Sequence, residues 1–93
     1  MSVKARIEAV LQENLQPQRL LVIDESHQHA GHQPGFTGNN ETHMRVRIVS
    51  DQFVGMSRLD RHRMVNSLLK PELDAGLHAL AVETAAPGEP TRW

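Results

Sequence analysis

Between Thr42 and Val49 the sequence alternates without a break, with Met44, Val46 and Ile48 on one side and His43, Arg45 and Arg47 on the other. A period of two residues is that of an extended strand, and this division of polarity is that of a strand with one face on a core and one face in water. The middle of the chain is thereby committed to a sheet covered on one side. With 93 residues in all, the chain can build one core to cover it, because half that length approaches the size at which domains need staples. A hydrophobic fraction of 39% together with six glycines suffices for a globular chain.

The covering elements are legible on either side of that strand. Val3, Ile7, Val10 and Leu11 recur at three- and four-residue spacing, which predicts an amphipathic helix from Val3 to about Asn14, stopped by Pro17. Leu20 to Ile23, bounded by Arg19 and Asp24, reads as a first strand. Ser26 to Glu41 holds Gly31, Pro34, Gly35, Gly38, Asn39 and Asn40 with no period, and predicts a long loop. Loops of that length in a small domain are functional or disordered. Asp51 to Gly55 predicts a turn with Phe53 as a core anchor, and Ser57 with Asp60 three residues on forms a variant capping box. The helix it opens runs to about Lys70, with Met64, Val65, Leu68 and Leu69 on its apolar arc. Pro71 permits a second short helical stretch through Glu72 and Leu73 before Gly76 closes it, and Leu77 to Thr84 reads as a third strand. Ala85 to Trp93 has two prolines, a glycine and little to bury, so the expected organisation is a domain over 1–84 and a disordered tail over 85–93.

The expected fold class is α/β (α+β), in the order helix, strand, strand, helix, short helix, strand, with helices covering a three-stranded mixed sheet. Strands one and two, as sequential neighbours, pair antiparallel, while the helical crossover between strands two and three suits parallel pairing. That topology sends the end of strand one and the starts of strands two and three to the same edge. His27, His29, His32, His43 and His78 gather there, five of the six histidines that are the one compositional excess.

Composition also excludes. With no cysteine, the chain by itself offers no disulfide, thiolate zinc site, thiol nucleophile or all-thiolate cluster site. A metal here must use imidazole or carboxylate. Ten basic and eleven acidic residues leave a net charge of −1, which provides no long-range attraction for nucleic acid or an anionic membrane. No stretch approaches the roughly 20 apolar residues of a membrane span, and Lys4, Arg6 and Glu8 interrupt the first ten residues, so the expected compartment is the cytoplasm. Asp24 and Glu25 have no second carboxylate placed beside them for acid–base work, and nucleophile elbow, phosphate loop and dinucleotide fingerprint are all missing. The reading is a binding protein and not an enzyme.

Single residues leave choices open at this stage. His27, His29 and His32 form an H-x-H-x-x-H run, but no regular element fixes its spacing, and a solvated loop is a commoner reading of such a run than a ligand set. His78 sits in the apolar context of Leu77, Ala79 and Leu80, where a structural histidine with one hydrogen bond is a commoner reading than a ligand. On helical angles Arg61 falls within the apolar arc, His62 at its edge and Arg63 away from it, which suits an Arg61 that snorkels over the core.

The run Phe53-Val-Gly55-Met-Ser57-Arg-Leu-Asp-Arg61-His62-Arg63-Met-Val-Asn66-Ser-Leu-Leu69 resembles the signature of the BolA family. Leu77-His78-Ala79-Leu80 and Glu41-Thr42-His43 extend the resemblance, which spans about Arg6 to Thr84. It implies a fold like the type II KH domain and a monothiol glutaredoxin of the CGFS type as partner, with a glutathione-coordinated [2Fe–2S] cluster shared between the two chains. The ligands it implies are His78 and a residue of the loop between strands one and two. Without cysteine in that loop, the chain resembles the histidine-type branch, with His29 the best match by its distance from Asp24-Glu25-Ser26, and His32 and His27 the alternatives. Gly35-Phe-Thr-Gly38 looks added relative to the family. Arg61, His62 and Arg63 would face the partner.

The physical logic agrees, since imidazoles in place of thiolates lower the negative charge at the iron and raise its potential. The alternative is a DNA-binding transcriptional regulator, in which Arg45, Arg47 and Arg58 with Arg61 and Arg63 would form a local basic surface. Against it, a KH grip uses a GXXG loop, and residues Lys70 to Gly76 contain none. The free chain is expected to be a monomer or weak dimer with no membrane contact.

Overall fold

The computed structural model of the chain describes residues 2–25, 43–91 and 93. Its first element, α1 (Val3–Leu15), starts where the Ser2 hydroxyl accepts a hydrogen bond from the Ala5 N–H at 3.0 Å. Ile7, Leu11 and Leu15 follow at four-residue spacing and are all buried. Leu15, one residue beyond the expected end at Asn14, is thus an anchor of the helix. Gln16 then takes a left-handed conformation at φ 44°, its N–H bonds back to the Gln12 carbonyl, and Pro17 ends the run.

Strand β1 (Arg19–Asp24) pairs antiparallel with β2 (His43–Val49), in a register that sets Val22 opposite Val46. The alternation read from the sequence is the burial pattern observed: Met44, Val46 and Ile48 are buried, while His43, Arg45 and Arg47 are half-buried on the opposite face. A single 3₁₀ turn (Asp51–Phe53) follows, capped by the Ser50 hydroxyl and placing Phe53 in the core. Helix α2 (Arg58–Leu68) opens at Ser57, whose hydroxyl accepts from the Asp60 N–H at 3.1 Å. It stops two residues short of the expected Lys70, because Leu69 takes φ −98° and ψ 7° and starts a separate short helix, α3 (Lys70–Asp74). Gly76 closes α3 at φ +130°, a conformation that strains any residue with a Cβ, and the Leu77 N–H returns to the Glu72 carbonyl.

Strand β3 (Ala79–Ala85) lies beside β2 and parallel to it, giving the order β1-β2-β3 with mixed pairing as expected. It starts two residues later than Leu77 and ends one later than Thr84. Leu77 instead turns into the core ahead of the strand. His78 is therefore not a strand residue but the exposed residue just before β3.

The helices cover one face of the sheet, and the core is built from Ile7, Leu11 and Leu15 of α1, Val65 of α2, Phe53, Leu69, Leu77 and the inward residues of the strands. The Arg6 guanidinium of α1 pairs with the Glu72 carboxylate of α3 across the helical layer. The stretch expected to be a disordered tail from Ala85 is packed at its start: Ala85 and Ala86 are buried, and Glu89 is bound to α2. Among the described residues no helix is long and apolar enough to cross a membrane.

Candidate functional site

Pairing geometry alone assembles one end of the sheet. Asp24, the last residue of β1, stands opposite Met44, and His43, the first residue of β2, is in register with Ala79, the first of β3. A further backbone bond, from the Glu25 N–H to the His43 carbonyl at 2.9 Å, extends the ladder by one step. The chain leaves this edge after Glu25 and returns to it at His43. His27, His29 and His32 belong to the intervening stretch, 26–42, and lie outside the described residues.

What the described residues supply is an imidazole pair. The rings of His43 and His78 stand 6.3 Å apart, centroid to centroid, at 63° to one another. Two imidazoles on one tetrahedral ion, with metal–nitrogen bonds of ~2.0–2.1 Å, have centroids roughly 5 Å apart, about 1 Å closer than this pair stands. His78 is exposed and His43 half-buried. Among the described residues no group of three or more histidine, aspartate or glutamate side chains is placed to hold a metal. The proximity of His43 to His78 follows from the parallel register, which makes His43 the cross-strand neighbour of the residue following His78.

The basic residues are distributed differently from the sequence expectation. The Arg45 Nε donates to Glu25 Oε2 at 2.9 Å and its Nη1 to Glu83 Oε1 at 3.3 Å, while the Arg47 Nε donates to Glu83 Oε2 at 2.6 Å. The hydrogen bond that Arg45 donates to Glu25 outweighs partial burial and raises the Arg45 guanidinium above its ordinary value. Arg45 and Arg47, two of the five arginines expected to form a nucleic-acid surface, are thus matched by carboxylates on the same sheet face. Arg58 is exposed at the start of α2.

Arg61, His62 and Arg63 point three ways. Arg61 is buried: its Nε donates to the Met56 carbonyl at 3.0 Å, and Nη1 and Nη2 grip the two oxygens of Glu89 at 2.6 and 2.9 Å. The guanidinium also stands 5.9 Å from the Phe53 ring centroid. The expectation that Arg61 faces a partner is corrected by this geometry, because its donors are engaged within the chain; a helical angle places the stem on the apolar arc but does not reveal the distant carboxylate that receives its head. Glu89 is held at about 2, well below the ordinary carboxyl range, by the bonds from Arg61 and then by the Ala86 N–H. His62 is half-buried, and Arg63 is exposed with Asp60 4.0 Å away.

Comparison with known proteins fits this architecture. The family model described as BolA-like protein matches residues 11–89. This chain belongs to the BolA-like family. It is 71% identical over 93 residues, the whole of both chains, to a Sinorhizobium sp protein described as an uncharacterized protein in the cobS 5′ region. With the chloroplastic protein BOLA1 of Arabidopsis thaliana it shares 47% identity over 87 residues, covering 91% of this chain but 54% of that one. The solved structure of BolA1 from Arabidopsis thaliana superposes with a TM-score of 0.87 at 44% identity, covering 98% of each chain. The Escherichia coli protein named DNA-binding transcriptional regulator BolA is 42% identical over 84 residues, 90% of this chain and 75% of that one. The BolA-like fold inferred from the α2 signature is therefore the fold of this chain.

Proposed function

We propose that this BolA-like protein is an adaptor that binds a monothiol glutaredoxin and completes the ligand set of a glutathione-bound [2Fe–2S] cluster, in iron–sulfur trafficking or iron regulation. The observation that carries the reading is the convergence of Glu25, His43 and His78 on one sheet edge, with the histidine-bearing residues 26–42 lying between the first two in sequence. The donor set suits the cargo: a chain without cysteine offers only nitrogen and oxygen ligands, and imidazoles complement thiolates brought by a partner.

In this reading His78 supplies one ligand from a fixed position, held by the start of β3, and the 26–42 stretch supplies the other. His29 is the first choice, with His32 and His27 as alternatives. The bound cluster contributes one-electron redox chemistry and exchangeable iron ligation; the protein's part is to present imidazoles and a docking face. His62 and Arg63, on the outside of α2, are the members of the arginine–histidine–arginine run left to meet the partner.

A DNA-binding role, which the name of the Escherichia coli relative suggests for that protein, would rest on Arg45, Arg47 and Arg58. The ion pairs from Arg45 and Arg47 to Glu25 and Glu83 leave less positive charge for phosphates than the residue count implies. The adaptor reading is the stronger one. Its test is to mix the protein with a reconstituted monothiol glutaredoxin and record visible absorption and circular dichroism. A one-to-one complex with an altered cluster spectrum is expected; a spectrum identical to that of the glutaredoxin alone would refute the reading.

A further inference from the structure

The first turns of α2, the far half of β3 and the segment that follows it enclose a pocket of about 410 Å³, within the ~300–1,000 Å³ typical of small-molecule sites. Arg58 and His62, one helical turn apart, form one wall; Val82 and Thr84 form the second; Thr91 and Trp93 form the third. Val82 and Thr84 stand four and six positions beyond His78, roughly 13–20 Å along an extended strand. This pocket is therefore separate from the imidazole end of the sheet.

Three features of the walls define its chemistry. Arg6, Arg45, Arg47, Arg61 and Arg63 each have a carboxylate within 4.0 Å, but Arg58 has none among the described residues. Glu89, whose charge Arg58 attracts through space, has both oxygens bonded by Arg61. The second feature is Val82, which packs against the core and gives the pocket an apolar wall. The third is the aromatic surface of Trp93, which already carries the Arg19 guanidinium 5.0 Å from its ring centroid.

We infer that this pocket binds a small organic carboxylate with a flat apolar body, its anion on Arg58 and His62 and its body against Trp93 and Val82. A singly charged anion fits better than a dianion, because Glu83 also lines the pocket and the ionised Glu89 stands nearby. The flat body distinguishes the ligand from inorganic phosphate, which would use Arg58 and His62 but gain nothing from the tryptophan.

The test is a titration of the full chain with sodium benzoate, and in parallel with inorganic phosphate, followed by amide and indole N–H chemical shifts. Benzoate should shift the signals of His62, Thr84 and Thr91 and the indole N–H of Trp93, and bind more tightly than phosphate. Arg58→Ala, a substitution on an exposed residue that leaves the core untouched, should weaken benzoate about tenfold, the loss expected for one charge-assisted bond. Binding that survives Arg58→Ala unchanged, shifts that fall elsewhere on the molecule, or phosphate binding more tightly than benzoate would each overturn the inference.

Discussion

Glu83 sits between two arginines, and its replacement by glutamine should convert part of the sheet's outer face into a phosphate-binding surface. The carboxylate neutralises Arg47 through a 2.6 Å bond and shares Arg45, at 3.3 Å, with Glu25 at 2.9 Å. Glu83→Gln therefore releases Arg47 almost wholly but leaves Arg45 held by Glu25, a net gain of one available guanidinium. Each phosphate contact adds about −0.9 to the slope of log affinity against log salt on duplex DNA, so the variant's slope should steepen by about that amount. Over a fourfold rise in salt this is a further three- to fourfold loss of affinity, roughly, from one added contact. Folding should hardly change: side chains 29% and 35% exposed form a solvent-screened pair, worth at most about 1 kcal/mol. The assay is fluorescence anisotropy with a labelled duplex across a potassium chloride series, with a urea melt as the folding control. A wild-type slope already steeper than about −2 and unaltered by Glu83→Gln would refute the reasoning, since Arg45 and Arg47 would then be reaching phosphates despite their carboxylates.

The Glu89 carboxyl, lowered from 4.5 to about 2, contributes stability that is fully present above pH 4.5 and is lost as pH falls from there through about 2. Protection of the 86–91 amides from hydrogen exchange should fall in that window, and Arg61→Ala should move the Glu89 titration, followed by carboxyl NMR, back up towards 4.5; an unshifted titration would contradict the clasp. Ser50 is fully buried, its hydroxyl donating to the Leu15 carbonyl at 2.7 Å and accepting from the Gln52 N–H at 3.1 Å. Ser50→Ala should cost about 1–3 kcal/mol in a urea unfolding curve by leaving both groups short of a partner, and a loss under about 0.5 kcal/mol would show that the bonds are replaceable.

The parts legible in the sequence are those decided by local period and local chemistry. Two-residue alternation set which of Met44, Val46 and Ile48 meet the core, and the Ser57–Asp60 cap placed the start of α2. The parallel crossover, a rule of chain handedness, brought His43 and His78 to one edge. Features that join residues far apart in sequence were not legible. Arg61 finds Glu89 twenty-eight positions on and Arg47 finds Glu83 thirty-six positions on, because charge pairing depends on register and on the path of the chain, neither of which a helical angle contains. The segment after β3 looked like a tail for the same reason: its composition offers little to bury, yet one carboxylate on a buried guanidinium and a buried Ala86 are enough to fasten it. His78 was displaced from the strand by Leu77, whose side chain is drawn into the core and delays the start of β3 to Ala79.

The central claim, that His78 and an imidazole of the 26–42 stretch complete a shared cluster, is tested most directly by comparing His78→Ala with His29→Ala in the glutaredoxin mixture. His78 is exposed, so its loss should leave folding within about 0.5 kcal/mol of wild type and report on ligation alone. His29 has His32 and His27 as substitutes in the same stretch of sequence, so the two variants should differ in weight. Visible circular dichroism should lose its adaptor-dependent component in His78→Ala and retain a weakened one in His29→Ala. A His78→Ala protein that forms the mixed cluster with wild-type spectrum and stability would contradict it.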